Sequence, residues 1–380
     1  MAILIALLAG APALAVQRPD QIDLLMEDAI SQGLIAGGVV MIGNSRGPLL
    51  TRSYGRISAA ADARPMTTDT VFDIASLTKV VVTTSAVMKL AEEGRISLVD
   101  PLQKWFPELK GSGKGDLKIV HLMTHTSGLR DFPLSSQEPR RSAIEGVVRQ
   151  KLSAKPGHSF NYADINFIVL GQLVERASGE DLDHYAERTL FRPLFMNDSS
   201  YRPSPLLWRR CAPTKIDAET SLLGQVQDYT ARLLGGVSGH AGLFSTAGDL
   251  GRFCRMLLNE GELDGRRVLS ERAVRQMTAP YFSASGKVDR GLGWDRESPY
   301  SAPRGNSFSE LSFGHTGYSG TSLWIDPESD LYVIVLTSRL DFRHVEHFSR
   351  LRSEVSTVAA ELFTSPVSPS GLARLGGAGL

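Results

Sequence analysis

The chain of 380 residues is short of several things. It has only 2 cysteines, Cys211 and Cys254, aromatics make up 7%, and no charge of either sign is in excess. Two cysteines rule out a disulfide scaffold; they read first as core thiols and second as a single bridge. Lys plus Arg number 41, as do Asp plus Glu. That balance supplies no basic face, so no nucleic-acid partner is expected. No His, Cys, Asp or Glu group has the local spacing of a metal site, so neither a metal nor a cofactor is expected. No internal repeat is present. The one sustained apolar stretch, residues 2–15, is shorter than the roughly 20 residues that cross a bilayer.

That stretch ends in Ala13-Leu14-Ala15, the small-residue pattern of a signal-peptide cleavage site, although the usual basic segment before it is missing. The expectation is a cleaved leader over 1–15, export to the periplasm or medium, and no stable membrane span afterwards. A buried N-terminal helix is the alternative.

What is present fits a folded enzyme-sized globule. Apolar residues make up 42%, with 36 glycines and 19 prolines punctuating them. Ile22, Leu25, Met26 and Ile30 repeat at helical spacing up to Gly33. Val39 to Ile42, a turn at 44–48 and Leu49 to Tyr54 read as a hairpin. From Gly94 to about Gln225 helical segments alternate with Pro/Gly loops, among them an apolar helix over Ile165–Ala177. Thr246 with Asp249 reads as a capping box for a helix through Leu258. Ser322–Asp326 and Leu331–Thr337 form a second hairpin, and Phe348, Leu351, Val355, Val358 and Leu362 lie on one stripe of a last helix. The organisation expected is a sheet domain from 16–94 and 226–364, a mostly helical insertion over 95–225, and a loose tail over 365–380.

The stretch with chemistry in it is Ala75-Ser76-Leu77-Thr78-Lys79, heading a helix to about Glu93. Three residues apart, Ser76 and Lys79 fall on one helical face. A lysine of lowered pKa can take the proton of a serine hydroxyl, and N–H groups at the helix start suit a developing oxyanion. An ordinary Ser cap followed by a surface Lys is the competing reading. Tyr162-Ala163-Asp164 precedes the apolar helix, where a tyrosine near a lysine can shuttle protons. His315-Thr316-Gly317 enters an apolar strand. Gly317 leaves room for a substrate, and the Tyr318 N–H pairs with that of Ser76 as an oxyanion hole. His240 lies in the Gly239–Gly242 turn, within reach of the cleft or as a satisfied loop histidine. His121, His125 and His158 read as structural.

These three motifs, in this order, resemble those of the penicillin-recognising serine hydrolases. The tyrosine in the second motif is similar to class C β-lactamases and their relatives: D-alanyl-D-alanine carboxypeptidases, esterases, D-aminopeptidases and muropeptide amidases. His121 to Leu129, Lys155-Pro156-Gly157 and Gly239 to Thr246 resemble lesser motifs of that family, and the likeness covers roughly 20–363. It implies an α/β (α+β) fold of the β-lactamase/transpeptidase type, an antiparallel sheet flanked by helices plus a mostly helical domain, with the site between them. It implies Ser76 as acylated nucleophile, Lys79 and Tyr162 sharing the base role, and Asp164 and 315–317 lining the cleft. Two residues depart from the pattern: Asp164 where Asn is usual, and His315 where β-lactamases have Lys. With an unperturbed pKa near 6.5, His315 would be a weak, pH-dependent cation. The function expected is acyl-enzyme hydrolysis of cell-wall-derived peptides or amides, or of small esters, with poor β-lactam turnover. The partner expected is a small molecule or peptidoglycan fragment. The alternatives are a general carboxylesterase, a class C-like β-lactamase, and a silent β-lactam or muropeptide sensor.

Overall fold

The computed structural model describes residues 20–216, 220–284 and 288–364. The expected leader over 1–15 and the tail over 365–380 lie outside them. An antiparallel sheet of 8 strands organises the fold. In chain order its strands are β1 (Ile35–Gly43), β2 (Pro48–Gly55), β3 (Phe282–Ala284), β4 (Val288–Arg290), β5 (Asp295–Glu297), β6 (Phe313–Gly317), β7 (Thr321–Asp326) and β8 (Leu331–Arg339). They lie side by side as β3-β4-β5-β6-β7-β8-β1-β2.

All nine residues of both β1 and β8 are buried, which is why their centres, Val39–Ile42 and Leu331–Leu336, read as apolar runs rather than alternating ones. Successive side chains point to opposite faces. Val40, Ile42, Val333 and Val335 pack on Ile22, Met26, Phe348 and Val355, from the helices Asp20–Ser31 and Val345–Phe363. Val39, Met41, Ile334 and Leu336 face a larger core with Leu77, Val80, Leu250 and Phe253. The β1–β8 register, Val39 opposite Leu336 and Met41 opposite Ile334, keeps like faces together.

On the larger-core side runs the helix that carries Lys79. It opens as a π-helical turn over Lys79–Thr84 and continues as α-helix over Ser85–Glu92, where a plain α-helix was expected. Across from it lies the apolar helix Asp164–Ser178, closed by Gly179 in the left-handed conformation. The helix Ala247–Leu258 starts at Thr246, whose hydroxyl accepts the Asp249 N–H at 3.2 Å. The capping box is only half made, because the Asp249 carboxylate turns instead to Ser199 and the Asp198 N–H. Cys211 and Cys254 are both free and buried, in separate clusters. No helix among the described residues is long and apolar enough to cross a membrane.

The start of the Ser76 turn is clamped to the sheet. Asp73 pairs with Phe244 in a short strand, the Ser319 hydroxyl donates to the Asp73 carbonyl at 2.7 Å, and that of Thr321 donates to the Ile74 carbonyl at 3.0 Å. Gly317 sits at this seam. Its glycine has a structural reason that the sequence did not suggest: a Cβ there would lie 2.1 Å from Thr321 Oγ1 and 2.6 Å from the Ile74 carbonyl oxygen. The missing side chain lets the Ser76 turn press against β6. Gly317→Ala should therefore cost about 1–3 kcal/mol in thermal or urea unfolding and slow acylation of Ser76 far more than its neighbour Thr316→Ala does. Unchanged stability together with wild-type acylation would contradict this seam.

Candidate active site

Ser76 stands in a tight turn, not at a helix cap. Ala75 just before it has φ of 46°, rare for a residue with a side chain, and its N–H is held by the Asp73 carboxylate at 2.9 Å. The Lys79 N–H bonds the Ser76 carbonyl at 3.0 Å. This i to i+3 closure eclipses the two side chains, and Lys79 Nζ lies 2.9 Å from Ser76 Oγ. Leu77 and Val80 to Val82, all fully buried, anchor the turn.

Lys79 is 0% exposed. Its ammonium has three N–H donors and meets three acceptors: Ser76 Oγ, Asp164 Oδ1 at 2.8 Å, and the His240 carbonyl at 3.1 Å. Burial pushes the amine towards its neutral form. The Asp164 charge and the neighbouring Tyr162 more than offset that, holding the ammonium above its ordinary pKa. Burial would raise Asp164, but Lys79 and His240 keep its carboxyl below the usual range. In this arrangement Lys79 is a cation that donates to Ser76 and presents no lone pair to it.

Tyr162 reaches the same place from the loop before Asp164–Ser178. Burial raises its phenol, while the Lys79 charge and hydrogen bonding to Lys79 and Ser76 oppose the rise. Its ring stacks on His125 at 4.5 Å, and the Lys79 ammonium lies 5.1 Å from the ring centre. His125 is fully buried, and burial with the nearby Arg290 and Lys79 charges keeps it neutral. Its Nδ1 accepts the Ala163 N–H at 3.3 Å. The histidine read as structural is thus the platform under the tyrosine.

The cleft above Ser76 has a volume of about 470 Å³ and is lined by Tyr162, Asp164, Asp228, His240 and Tyr318, among others. The N–H groups of Ser76 and Tyr318 both border it and donate to no acceptor among the described residues. They are therefore free for an oxyanion. His240 is buried; its Nε2–H donates to Asp228 Oδ1 at 2.8 Å, and its Nδ1 meets the Ser238 hydroxyl at 2.8 Å.

His315 is 4% exposed and sits beside Tyr162, with 6.0 Å between ring centres. A carbonyl only accepts, so its contact with the Thr316 oxygen at 2.8 Å places the proton on Nδ1. Burial, then Arg290 and Lys79, push its pKa down to about 3. The weak cation expected near pH 6.5 is therefore absent: His315 is a neutral wall, because fixed positive charges stand beside a buried ring. Thr316 contributes that accepting carbonyl.

Asp228 went unnoticed in the sequence. It caps the helix Tyr229–Leu233 through the Ala231 N–H at 2.7 Å and holds His240. Burial alone would raise it, but the hydrogen bond and charge of His240 bring it down to about 2. An Asp before a short apolar run was a readable cap signal; its place in the cleft was not. Asp164, Asp228 and His240 bring one possible metal-ligand atom each within 4.8 Å of one another. Local spacing missed this group because three separate segments assemble it. Within the group, Asp164 Oδ1 is engaged with Lys79 and His240 Nε2 with Asp228 Oδ1.

A family model described as Beta-lactamase matches residues 22–355. A protein of Escherichia coli (strain K12) named "Putative D-alanyl-D-alanine carboxypeptidase" is 30% identical over 311 residues, 72% of this chain and 70% of that one. Among solved structures, the D-alanine carboxypeptidase AmpC from Burkholderia cenocepacia superposes with a TM-score of 0.73 at 22% identity, covering 90% of this chain and 99% of the other. EstCE1, described as a hydrolase with promiscuous acyltransferase activity, gives a TM-score of 0.73 at 19% identity over 89% and 98%. At these identities the two superpositions speak for the fold.

The three-acceptor arrangement has a pH consequence. If the rate needs a proton-free Lys79, the Asp164 charge makes that form scarce at neutral pH, and the rate climbs towards alkaline pH. Asp164→Asn removes the raising influence and leaves burial, which lowers the amine. The rising limb of kcat/KM for a neutral ester, followed over about pH 5 to 10, should move to lower pH in the variant. A limb that stays in place would mean that Lys79 does not titrate in the rate.

Proposed function

Because the chain belongs to the beta-lactamase family of serine hydrolases, we propose that it hydrolyses cell-wall-derived peptides or amides, or small esters, through an acyl-enzyme on Ser76. The observation that carries this reading is the 2.9 Å contact between Lys79 Nζ and Ser76 Oγ at the floor of an open cleft. Ser76 Oγ bonds to the acyl carbon, and the C–N or C–O bond breaks. The serine proton passes through Tyr162, or through Lys79 and Asp164, to the leaving amine or alcohol. The Ser76 and Tyr318 N–H groups hold the oxyanion. Water then attacks the ester, giving the free acid and restoring the serine hydroxyl. The carboxypeptidase name of the relative supports the amide branch, and the hydrolase description of EstCE1 supports the ester branch.

Poor β-lactam turnover follows from charge. A β-lactam carries a carboxylate, and a charge-assisted hydrogen bond to one contributes roughly 1.5–3 kcal/mol. Here His315 is neutral and Lys79 is fully engaged. Arg232 turns its guanidinium to the Val226 and Gln227 carbonyls.

Ser76→Ala should abolish covalent labelling by a fluorophosphonate and the product burst from a p-nitrophenyl ester, as read by intact mass and absorbance. Labelling that survives would move the nucleophile elsewhere. A stable adduct with no turnover of any substrate would favour the sensor. For the wild type, kcat/KM on the ester should exceed that on nitrocefin by at least about tenfold. Nitrocefin turnover of about 10 per second or more would replace this reading with a β-lactamase.

Export is a separate proposal, supported by the apolar run over 2–15 and Ala13-Leu14-Ala15. Protein from the native host should begin near Val16 on N-terminal sequencing; a start at Met1 would reject it.

A further inference from the structure

The cleft above Ser76 has one wall that neither the base nor the oxyanion hole explains. Asp164 and Asp228 line it, and their side chains are 35% and 34% exposed. Each carboxylate uses one oxygen inward: Oδ1 of Asp164 on Lys79, Oδ1 of Asp228 on His240 and the Ala231 N–H. The Oδ2 atom of each has no hydrogen-bond partner among the described residues. His240 keeps the Asp228 Oδ1 turned inward through its Nε2–H, with the Ser238 hydroxyl against its Nδ1. One oxygen of each carboxylate is thus presented to the cleft without a partner among the described residues. The other cation lining the cleft, Arg232, is turned to backbone carbonyls.

We propose that Asp164 and Asp228 together receive the α-ammonium group of the substrate's acyl residue, so that this enzyme cleaves amides, peptides or esters of amino acids whose amino group is free. The inference rests on Ser76 being the acylated serine. Geometry carries it. Asp164 Oδ1 is 2.8 Å from Lys79 Nζ, and Lys79 Nζ is 2.9 Å from Ser76 Oγ, so one ion pair and one hydrogen bond separate the carboxylate from the attacking atom. In an aminoacyl substrate the α-nitrogen is one carbon removed from the carbonyl that Ser76 attacks. A carbonyl seated between Ser76 Oγ and the free N–H groups of Ser76 and Tyr318 sets that nitrogen beside the acidic wall. The N–H groups of an ammonium there bond to the two free Oδ2 atoms. An N-acylated substrate would place a neutral amide against both carboxylates and gain neither.

The test compares matched pairs: alanine p-nitroanilide against N-acetylalanine p-nitroanilide, each as D and L isomer, with the full wild-type chain. The free amine should win by about ten- to a hundredfold in kcat/KM for at least one isomer. In Asp228→Asn the ratio of free to acetylated rates should fall towards unity, whatever happens to the absolute rates. Should that variant misfold, wild-type protein answers through inhibition: alaninamide should slow fluorophosphonate labelling of Ser76 at concentrations where N-acetylalaninamide does not. Equal rates on the pairs, a preference for the acetylated member, a ratio unmoved in a folded Asp228→Asn, or equal inhibition by the two amides would each overturn the proposal. So would a chain that is labelled by fluorophosphonate but turns over neither pair. Those results leave the acyl-enzyme reading standing; loss of labelling itself would sink both.

Discussion

A fully buried ammonium with every N–H engaged is the constraint on which this molecule depends. Taking a lysine charge out of water costs several kcal/mol unless partners replace the lost hydration. Lys79 recovers it from three separate parts of the chain: its own turn through Ser76, the start of the apolar helix through Asp164, and the glycine-rich loop through the His240 carbonyl. Each partner must arrive at hydrogen-bond distance or the charge is left exposed to a low dielectric. Burying the lysine therefore fixes the helical side of the cleft relative to the serine, and the site is assembled by the same contacts that make the core tolerable.

The rest of the fold serves as backing for that hub. The sheet strands β1 and β8 are buried on both faces, which gives the nucleophile helix a rigid apolar floor through Val39, Met41, Ile334 and Leu336. The hairpin formed by β6 and β7 is tied to the Ser76 turn by the Ser319 and Thr321 hydroxyls, donating to the Asp73 and Ile74 carbonyls. Ala75 holds its unusual φ between these ties. Strain of this kind, costing about 1–3 kcal/mol, persists only when surrounding contacts over-determine it. Asp73, which reaches both the Ala75 and Gln227 N–H groups, is the buried residue that does so.

What the sequence made legible was what is local. Ser76 and Lys79 meet through a single turn, so their spacing was informative. The helices over 20–31 and 164–178 carried their glycine stops, and the central strands announced their two-sided burial by having no polar alternation. What stayed hidden depends on distant segments meeting. Nothing near Asp228 says that it will face Asp164, and the cluster they form with His240 joins residues from three separate segments. His315 misled for the same reason. Its chemistry is set by burial and by Arg290 in β4, two strands away and paired with Asp295 of the intervening β5 at 3.0 Å, and neither can be read from the tripeptide. Gly317 was noticed, but its close approach to Ile74 is one that only the folded chain reveals.

The substitution of an acid at 164 changes what must happen before Lys79 can act. An ammonium donating to Ser76 cannot accept its proton, so the pair has to be unlocked first. Moving a proton from Lys79 to Asp164 converts two buried charges into two neutral groups, and expelling water from the cleft favours that exchange because low dielectric penalises the charged forms. A phenolate at Tyr162 would instead add a charge to a buried site, which is why burial raises that phenol. A substrate cation against Asp164 reaches the same end by another route, since a carboxylate shared with a second ammonium holds the first less strongly. In either case the charge on Asp164 is the lock, and whatever takes up that charge returns Lys79 towards its lone pair. On the proposed acyl-enzyme reading, activation of Ser76 therefore follows from whatever takes up the Asp164 charge, a proton from Lys79 or the ammonium of a substrate.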